Sequence, residues 1–145
     1  MSRSAYLDTS ALAKWYLHEA RSEDVEAFLR QHDQASISRL AVVELRCLLA
    51  RRRRHREIDT RTEQRILATF RRDVGAGFLE VHPLEDRHAL TASDLISKLV
   101  KHPLRTLDAL HLAVALGVGA TRLATADRIM AAAATSLGIH VERFD

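Results

Sequence analysis

The chain has 145 residues, 47% of them hydrophobic, and a net charge of +3 from 22 Lys and Arg against 19 Asp and Glu. That size and apolar content predict one domain over residues 1–145 with a core of its own, and a mildly basic balance that permits a polyanionic partner without demanding one. The single cysteine, Cys47, excludes an internal disulfide and favours a reducing cytoplasm. No secretory apolar core precedes Asp8, and the longest nearly apolar run, residues 109–120, is interrupted by His111 and falls short of the roughly 20 residues a membrane helix needs.

Taken in order, the short apolar run at Tyr6 and Leu7 predicts a buried strand that stops at Asp8. Two hydroxyl residues, Thr9 and Ser10, follow, and then a helical pattern over 11–17 that carries Trp15 and Tyr16. Asp8 reads equally well as a helix cap or as an acid at the carboxyl end of a strand, where open parallel sheets bind their ligands. Ser22 is the expected N-cap of a second helix ending near Gln31, with Val25, Phe28 and Leu29 on one face. A strand is expected over 35–38, and Ser38 then caps a helix over 40–54 with an apolar stripe of Leu40, Val43, Cys47 and Leu48. Leu40, Glu44 and Leu48 are spaced four apart and share a face, so the sequence aims Glu44 at the interior.

A basic run from Arg51 to Arg56 closes this helix. Another helix spans 60–74, bearing Ile66, Leu67 and Phe70, and Gly75 and Gly77 break it. A strand over 78–81 ends at His82-Pro83, and a helix over 86–101, with Leu90, Leu95, Ile96 and Leu99 apolar, stops at His102-Pro103. The helix over 106–116 repeats the pattern around Glu44, because Leu104, Asp108 and Leu112 are again four apart. A strand over 122–125 leads through Thr125 to Asp127, the same setting of strand end, hydroxyl and carboxylate as at Asp8. A helix over 129–137 and a strand over 139–143 complete an alternation that predicts an α/β fold with a mainly parallel sheet.

Two acids thus end strands and two lie on apolar helix stripes. Burying an unpaired carboxylate costs several kcal/mol, and a second at 4 Å adds about 4 kcal/mol of repulsion at an effective dielectric near 20. Separate arginine partners could neutralise the acids one by one, but neither stripe offers a basic residue at a matching position. A shared hard cation, Mg2+ or Mn2+, fits better because it prefers oxygen ligands and keeps several waters. Zinc is disfavoured, since the histidines form no HExxH motif and Cys47 stands alone. His111, three residues after Asp108, reads as a ligand, a proton carrier or a core-edge histidine. The run Arg51, Arg52, Arg53 and Arg54 reads as a grip on RNA phosphates or an acidic partner, or as a solvated helix end that complements the macrodipole. Trp15 and Tyr16 fit base stacking, a partner groove or core packing.

The segments Tyr6-Leu7-Asp8-Thr9-Ser10-Ala11-Leu12, Val43-Glu44-Leu45, Leu107-Asp108-Ala109-Leu110-His111-Leu112-Ala113 and Thr125-Ala126-Asp127 together resemble the spaced acidic motifs of PIN-domain ribonucleases, and in length and order the VapC-type toxins of toxin-antitoxin systems. The resemblance runs from Asp8 to Asp127; Leu123 stands where the family often has an aromatic. It implies a three-layer PIN-like fold with strand order 3-2-1-4-5 and the acids at the carboxyl edge of the sheet. It further implies a Mg2+- or Mn2+-dependent endoribonuclease in which Asp8, Asp108 and Asp127 hold the metal directly or through water and Glu44 completes the cluster. Thr125 would orient Asp127 or a bound water, with Ser10 also supporting the ligands. A cognate antitoxin, a homodimer and an RNA substrate are the implied partners. A phospho-acceptor domain or aspartate-based phosphatase fits poorly, since Lys14, Lys98 and Lys101 are badly placed for such a site. A docking module for RNA or protein that does not cleave keeps the arginines but leaves the four acids without a task.

Overall fold

The computed structural model describes residues 4–145. Its strands β1 (Ser4–Leu7), β2 (Gln34–Ser38), β3 (Leu79–His82), β4 (Arg122–Thr125) and β5 (His140–Arg143) form one sheet in the order β3-β2-β1-β4-β5. Every neighbouring pair is parallel. The implied strand order is therefore present, and the expected mainly parallel sheet is parallel throughout. The connections are helical: α1 (Thr9–Tyr16) and α2 (Ser22–Leu29) after β1, α3 (Arg39–Arg54) and α4 (Thr60–Gly75) after β2, α5 (Asp86–Lys98) and α6 (Thr106–Gly117) after β3, and α7 (Arg128–Ser136) after β4.

Both faces of the sheet are covered; the central β1 and β4 carry short apolar runs, while β2, β3 and β5 are interrupted by polar residues. Ala5, Leu7, Ala35, Ile37 and Ala124 point into a core shared with α1 to α4, whereas Tyr6 and Leu123 point into a second core with Leu112, Ala113 and Met130 from α6 and α7. The chain leaves β1 toward β2 on one side and returns to β4 on the other. Ligands of open α/β sheets bind in the crevice that such a reversal creates outside the carboxyl ends of the strands. Asp8 directly follows β1, and Asp127 lies two residues beyond the end of β4.

The largest departure from the sequence reading concerns α3. Its buried residues are Ala41, Leu45 and Leu49, one position round from the expected stripe of Leu40, Val43, Cys47 and Leu48; Val43 is 57% exposed and Cys47 is also exposed. This helix carries two adjacent apolar stripes. The sheet takes the one with Ala41 beside it, and the other, with Leu40, Glu44 and Leu48, becomes the wall of a cleft. Glu44 is accordingly half-buried at an edge and not aimed into the core. In α5 the buried positions are His88, Ala92 and Leu95, while Leu90 and Ile96 are exposed, because this helix packs on α6 along a narrower strip than its composition suggests. It also ends at Lys98, short of the expected residue 101.

Smaller differences follow local hydrogen bonding. Helix α1 starts at Thr9 because Asp8 is its cap, Oδ1 accepting from the Ala11 amide at 3.0 Å. Ser22 is the first residue of α2 rather than its cap; it follows Arg21 in the left-handed conformation, and its hydroxyl donates to the Leu17 carbonyl and accepts from the Glu19 amide. Ser38 caps α3 as expected, accepting from the Leu40 amide at 3.0 Å. Among the described residues no helix is long and apolar enough to cross a membrane.

The register of α3 is open to a direct check. Leu45→Ala removes a fully buried side chain and is expected to cost about 2–5 kcal/mol in denaturant unfolding, whereas Val43→Ala is expected to stay within roughly 0.5 kcal/mol. Equal costs, or a larger cost at Val43, would place the wrong stripe against the sheet.

Candidate metal centre

Each acid is set by the element that presents it. Asp8 is 4% exposed and takes three donors: the Ser10 hydroxyl at 2.6 Å and the Ala11 amide at 3.0 Å on Oδ1, and the Thr125 hydroxyl at 2.5 Å on Oδ2. Ser10 is itself fixed by the Ala126 amide at 2.8 Å, and Thr125 by the Asp127 amide at 3.0 Å. Thr125 therefore orients Asp8 with its hydroxyl, where the family resemblance assigns it to Asp127 or a water. Asp127 caps α7 by accepting from the Met130 amide at 2.9 Å. Asp108, 8% exposed in the first turn of α6, accepts from the Arg105 amide at 3.2 Å. Glu44 accepts on Oε1 from the Thr9 hydroxyl and meets His111 Nε2 there, both at 2.7 Å.

These side chains line one cleft of about 690 Å³ between α3, α6 and the start of α7. Leu40, Val43, Leu48, Leu107 and Met130 supply its apolar walls, and Arg51, Arg54 and Arg105 its basic groups. The fold thus brings together Asp8, Glu44, Asp108, Asp127 and Ser10, with Thr125 directly behind Asp8. The basic run splits in the way helical spacing requires. Arg51 and Arg54 face the cleft, Arg52 turns away to pair with Glu19 at 2.9 Å, and Arg53 lies 3.4 Å from Glu63. Trp15 and Tyr16 pack instead with Phe78 and Phe70 at the edge of the core and line a different cleft, with the Tyr16 hydroxyl donating to Asp73.

Three participants carried little signal in the sequence. Arg105 lies between two of the acids, 3.6 Å from both Asp108 and Asp127, though its side chain is largely exposed and the pairs are correspondingly weak. Thr9 and Tyr6 reach Glu44 and His111; a hydroxyl inside an otherwise apolar strand was the one hint of Tyr6.

Burial pushes the Asp8 carboxyl above its ordinary range, against the opposing pull of Ser10, Thr125, His111 and the Ala11 amide. Among the described residues, no Lys or Arg forms an ion pair with it. Glu44 shifts the other way: burial would raise it, but the hydrogen bonds from His111 and Thr9 prevail and hold it low. Among the described residues no three His, Cys, Asp or Glu side chains stand close enough together to hold a metal ion as they lie. What lines the cleft is a set of four dispersed carboxylates with hydroxyls beside them; His111 and Cys47 line it too, but His111 Nε2 is taken up by Glu44. That carboxylate set suits Mg2+ or Mn2+, which keep several waters and bind through one or two carboxylates, better than it suits zinc.

Residues 5–135 match the model of the PIN domain. The chain belongs to the PIN-domain family. Within it the likeness is to the VapC group: the chain is 37% identical over 139 residues, 94% of each chain, to the protein named ribonuclease VapC46 of Mycobacterium tuberculosis. The fold matches that of VapC20 from the same organism, described as a sarcin-ricin loop cleaving toxin, with a TM-score of 0.71 at 19% identity over 89% of this chain and 94% of that one. It also matches VapBC-5 of M. tuberculosis, described as a member of the VapBC family of toxin-antitoxin systems, with a TM-score of 0.65 at 20% identity over 97% and 98%. The strand order and α/β layering of this PIN domain are those the sequence resemblance implied.

The raised Asp8 pKa has a consequence for stability. The folded protein holds that proton more tightly than the unfolded chain, so the contribution to stability is full below the unfolded value, near 4, and is lost as pH rises through the folded value. At neutral pH without divalent ions, Asp8→Asn is therefore expected to melt higher than the wild type, by about 3–4 °C for each kcal/mol recovered, and to lose that advantage near pH 4. A variant that melts lower at neutral pH would show that the charge is not a burden.

Proposed function

We propose that the protein is a divalent-metal-dependent endoribonuclease acting as the toxin of a toxin-antitoxin pair. The observation that carries this reading is the convergence of Asp8, Glu44, Asp108 and Asp127, drawn from four separate segments, on one cleft. Folding gains nothing from gathering like charges, and perturbed acids cluster at functional sites. The relative's name, ribonuclease, supports the substrate class, and the neighbouring toxin-antitoxin structures support an antitoxin as partner. A homodimer and a cytoplasmic setting belong to the same proposal.

In this reading Asp8, Asp108 and Asp127 hold Mg2+ or Mn2+ directly or through water, and Glu44 completes the set. The ion, when bound, supplies an activated water and neutralises charge developing on the scissile phosphate. The protein's own groups do the remaining work. Ser10, Thr125 and the Ala11 amide fix the Asp8 carboxylate, so this ligand is held in place before an ion arrives. Glu44 stays ionised and offers Oε2 to the cleft as an acceptor. Arg51 and Arg54 stand on the side of α3 from which an RNA strand would enter and attract its phosphates, while Arg52 and Arg53 are engaged by Glu19 and Glu63.

Purified protein is expected to cleave structured RNA with Mg2+ or Mn2+, to stop in EDTA, and to lose at least about 100-fold in rate as Asp8→Asn or Asp108→Asn, the low end for a lost charge-stabilising group. Cleavage that persists in EDTA or in both variants would refute the metal mechanism; RNA binding without cleavage under either ion would favour a docking module. A second measurement concerns the rim. The double variant Arg51→Ala with Arg54→Ala is expected to weaken RNA binding and flatten its salt dependence by about one to two in slope, and Arg53→Ala to change neither. Equal effects from both would remove the assignment of the cleft-facing arginines.

A further inference from the structure

Three of the four acids are anchored by main-chain amides at helix starts: Asp8 by Ala11, Asp127 by Met130 and Asp108 by Arg105. Glu44 has no such anchor. It lies in the second turn of α3, where every amide is already committed to the helix, and its longer side chain has one more torsion to fix. Side chains have to aim it, and two of those nearby come from the other side of the sheet. His111 of α6 meets Glu44 Oε1 through Nε2 at 2.7 Å, and its Nδ1 lies 2.8 Å from the Tyr6 hydroxyl of β1. Tyr6 is fully buried and His111 nearly so, and the two rings meet edge to face.

We propose that Tyr6 and His111 form a positioning chain that aims the Glu44 carboxylate into the acidic cleft. This rests on the nuclease reading above. The hydrogen bonds have one consistent direction. A buried phenol proton needs an acceptor; burial keeps this phenol protonated, and His111 Nδ1 stands 2.8 Å from its oxygen. The phenol therefore donates to Nδ1, the imidazole carries its proton on Nε2, and that proton is donated to Glu44. Thr9 adds a second donor to the same oxygen. Among the described residues nothing hydrogen-bonds Oε2, which is left for water or a ligand in the cleft. Partners of this kind, which orient a ligating group from behind, are worth about 10–100-fold in metal affinity or activity.

The test pairs a spectroscopic readout with kinetics. In the nitrogen-15 spectrum of the wild-type protein, the signals that vanish in His111→Phe identify His111 and are expected to report a proton on Nε2 and none on Nδ1. His111→Phe and Tyr6→Phe are expected to lower kcat about 10–100-fold and about 10-fold respectively with KM for RNA unchanged. His111→Gln, whose amide can still donate to Glu44, is expected to recover most of the rate. A proton on Nδ1, a His111→Phe protein with wild-type kcat, or a glutamine variant no better than phenylalanine would each overturn the proposal. A wild type that cleaves no RNA would sink the nuclease reading instead, and the tautomer would still decide whether the chain exists.

Discussion

The buried carboxylate of Asp8, held by three hydrogen-bond donors and paired with no Lys or Arg among the described residues, is the constraint on which the rest of this structure turns. A charge in that position is tolerable only if its lone pairs are occupied, and the donors that occupy them tie separate parts of the chain together. Ser10 belongs to α1 and Thr125 to β4, and each receives an amide from the 126–127 turn. The pairing of β1 with β4 at the centre of the sheet is thereby locked at its carboxyl end by the same contacts that orient the acid. Hydrogen bonds have not removed the cost of burial, since the carboxyl remains above its ordinary range. A cation in the cleft would remove it.

The remaining acids occupy the few places around that point where a carboxylate can be held. Helix amino termini leave amides unpaired, and Asp127 and Asp108 each use one. Glu44 approaches from the opposite wall on a helix interior and is aimed by side chains. Arg105 is a weak, exposed counter-charge between Asp108 and Asp127.

Much of this was legible in the sequence because it depended on spacing. Strand, hydroxyl and acid occur twice, and an acid flanked by leucines four residues away occurs twice, which was enough to single out all four carboxylates and the α/β alternation. The face of α3 was not legible. Leu40, Val43, Cys47 and Leu48 make as good a stripe as Ala41, Leu45 and Leu49, and helical spacing alone does not select between them. Nor could local spacing reveal that Thr125 serves Asp8, 117 residues earlier, or that His111 reaches across to Tyr6 and Glu44. Those contacts are consequences of strand order, which periodicity does not encode and the family resemblance supplied.

That four dispersed carboxylates form one cation site is tested most directly by a crystal of the protein soaked in Mn2+ and measured at the manganese absorption edge. An anomalous peak within about 2.0–2.4 Å of Asp8 or its acidic neighbours, or one water further out, is the expected result. A map with no peak in the cleft at saturating Mn2+, or with its only peak at acids elsewhere on the surface, would contradict it.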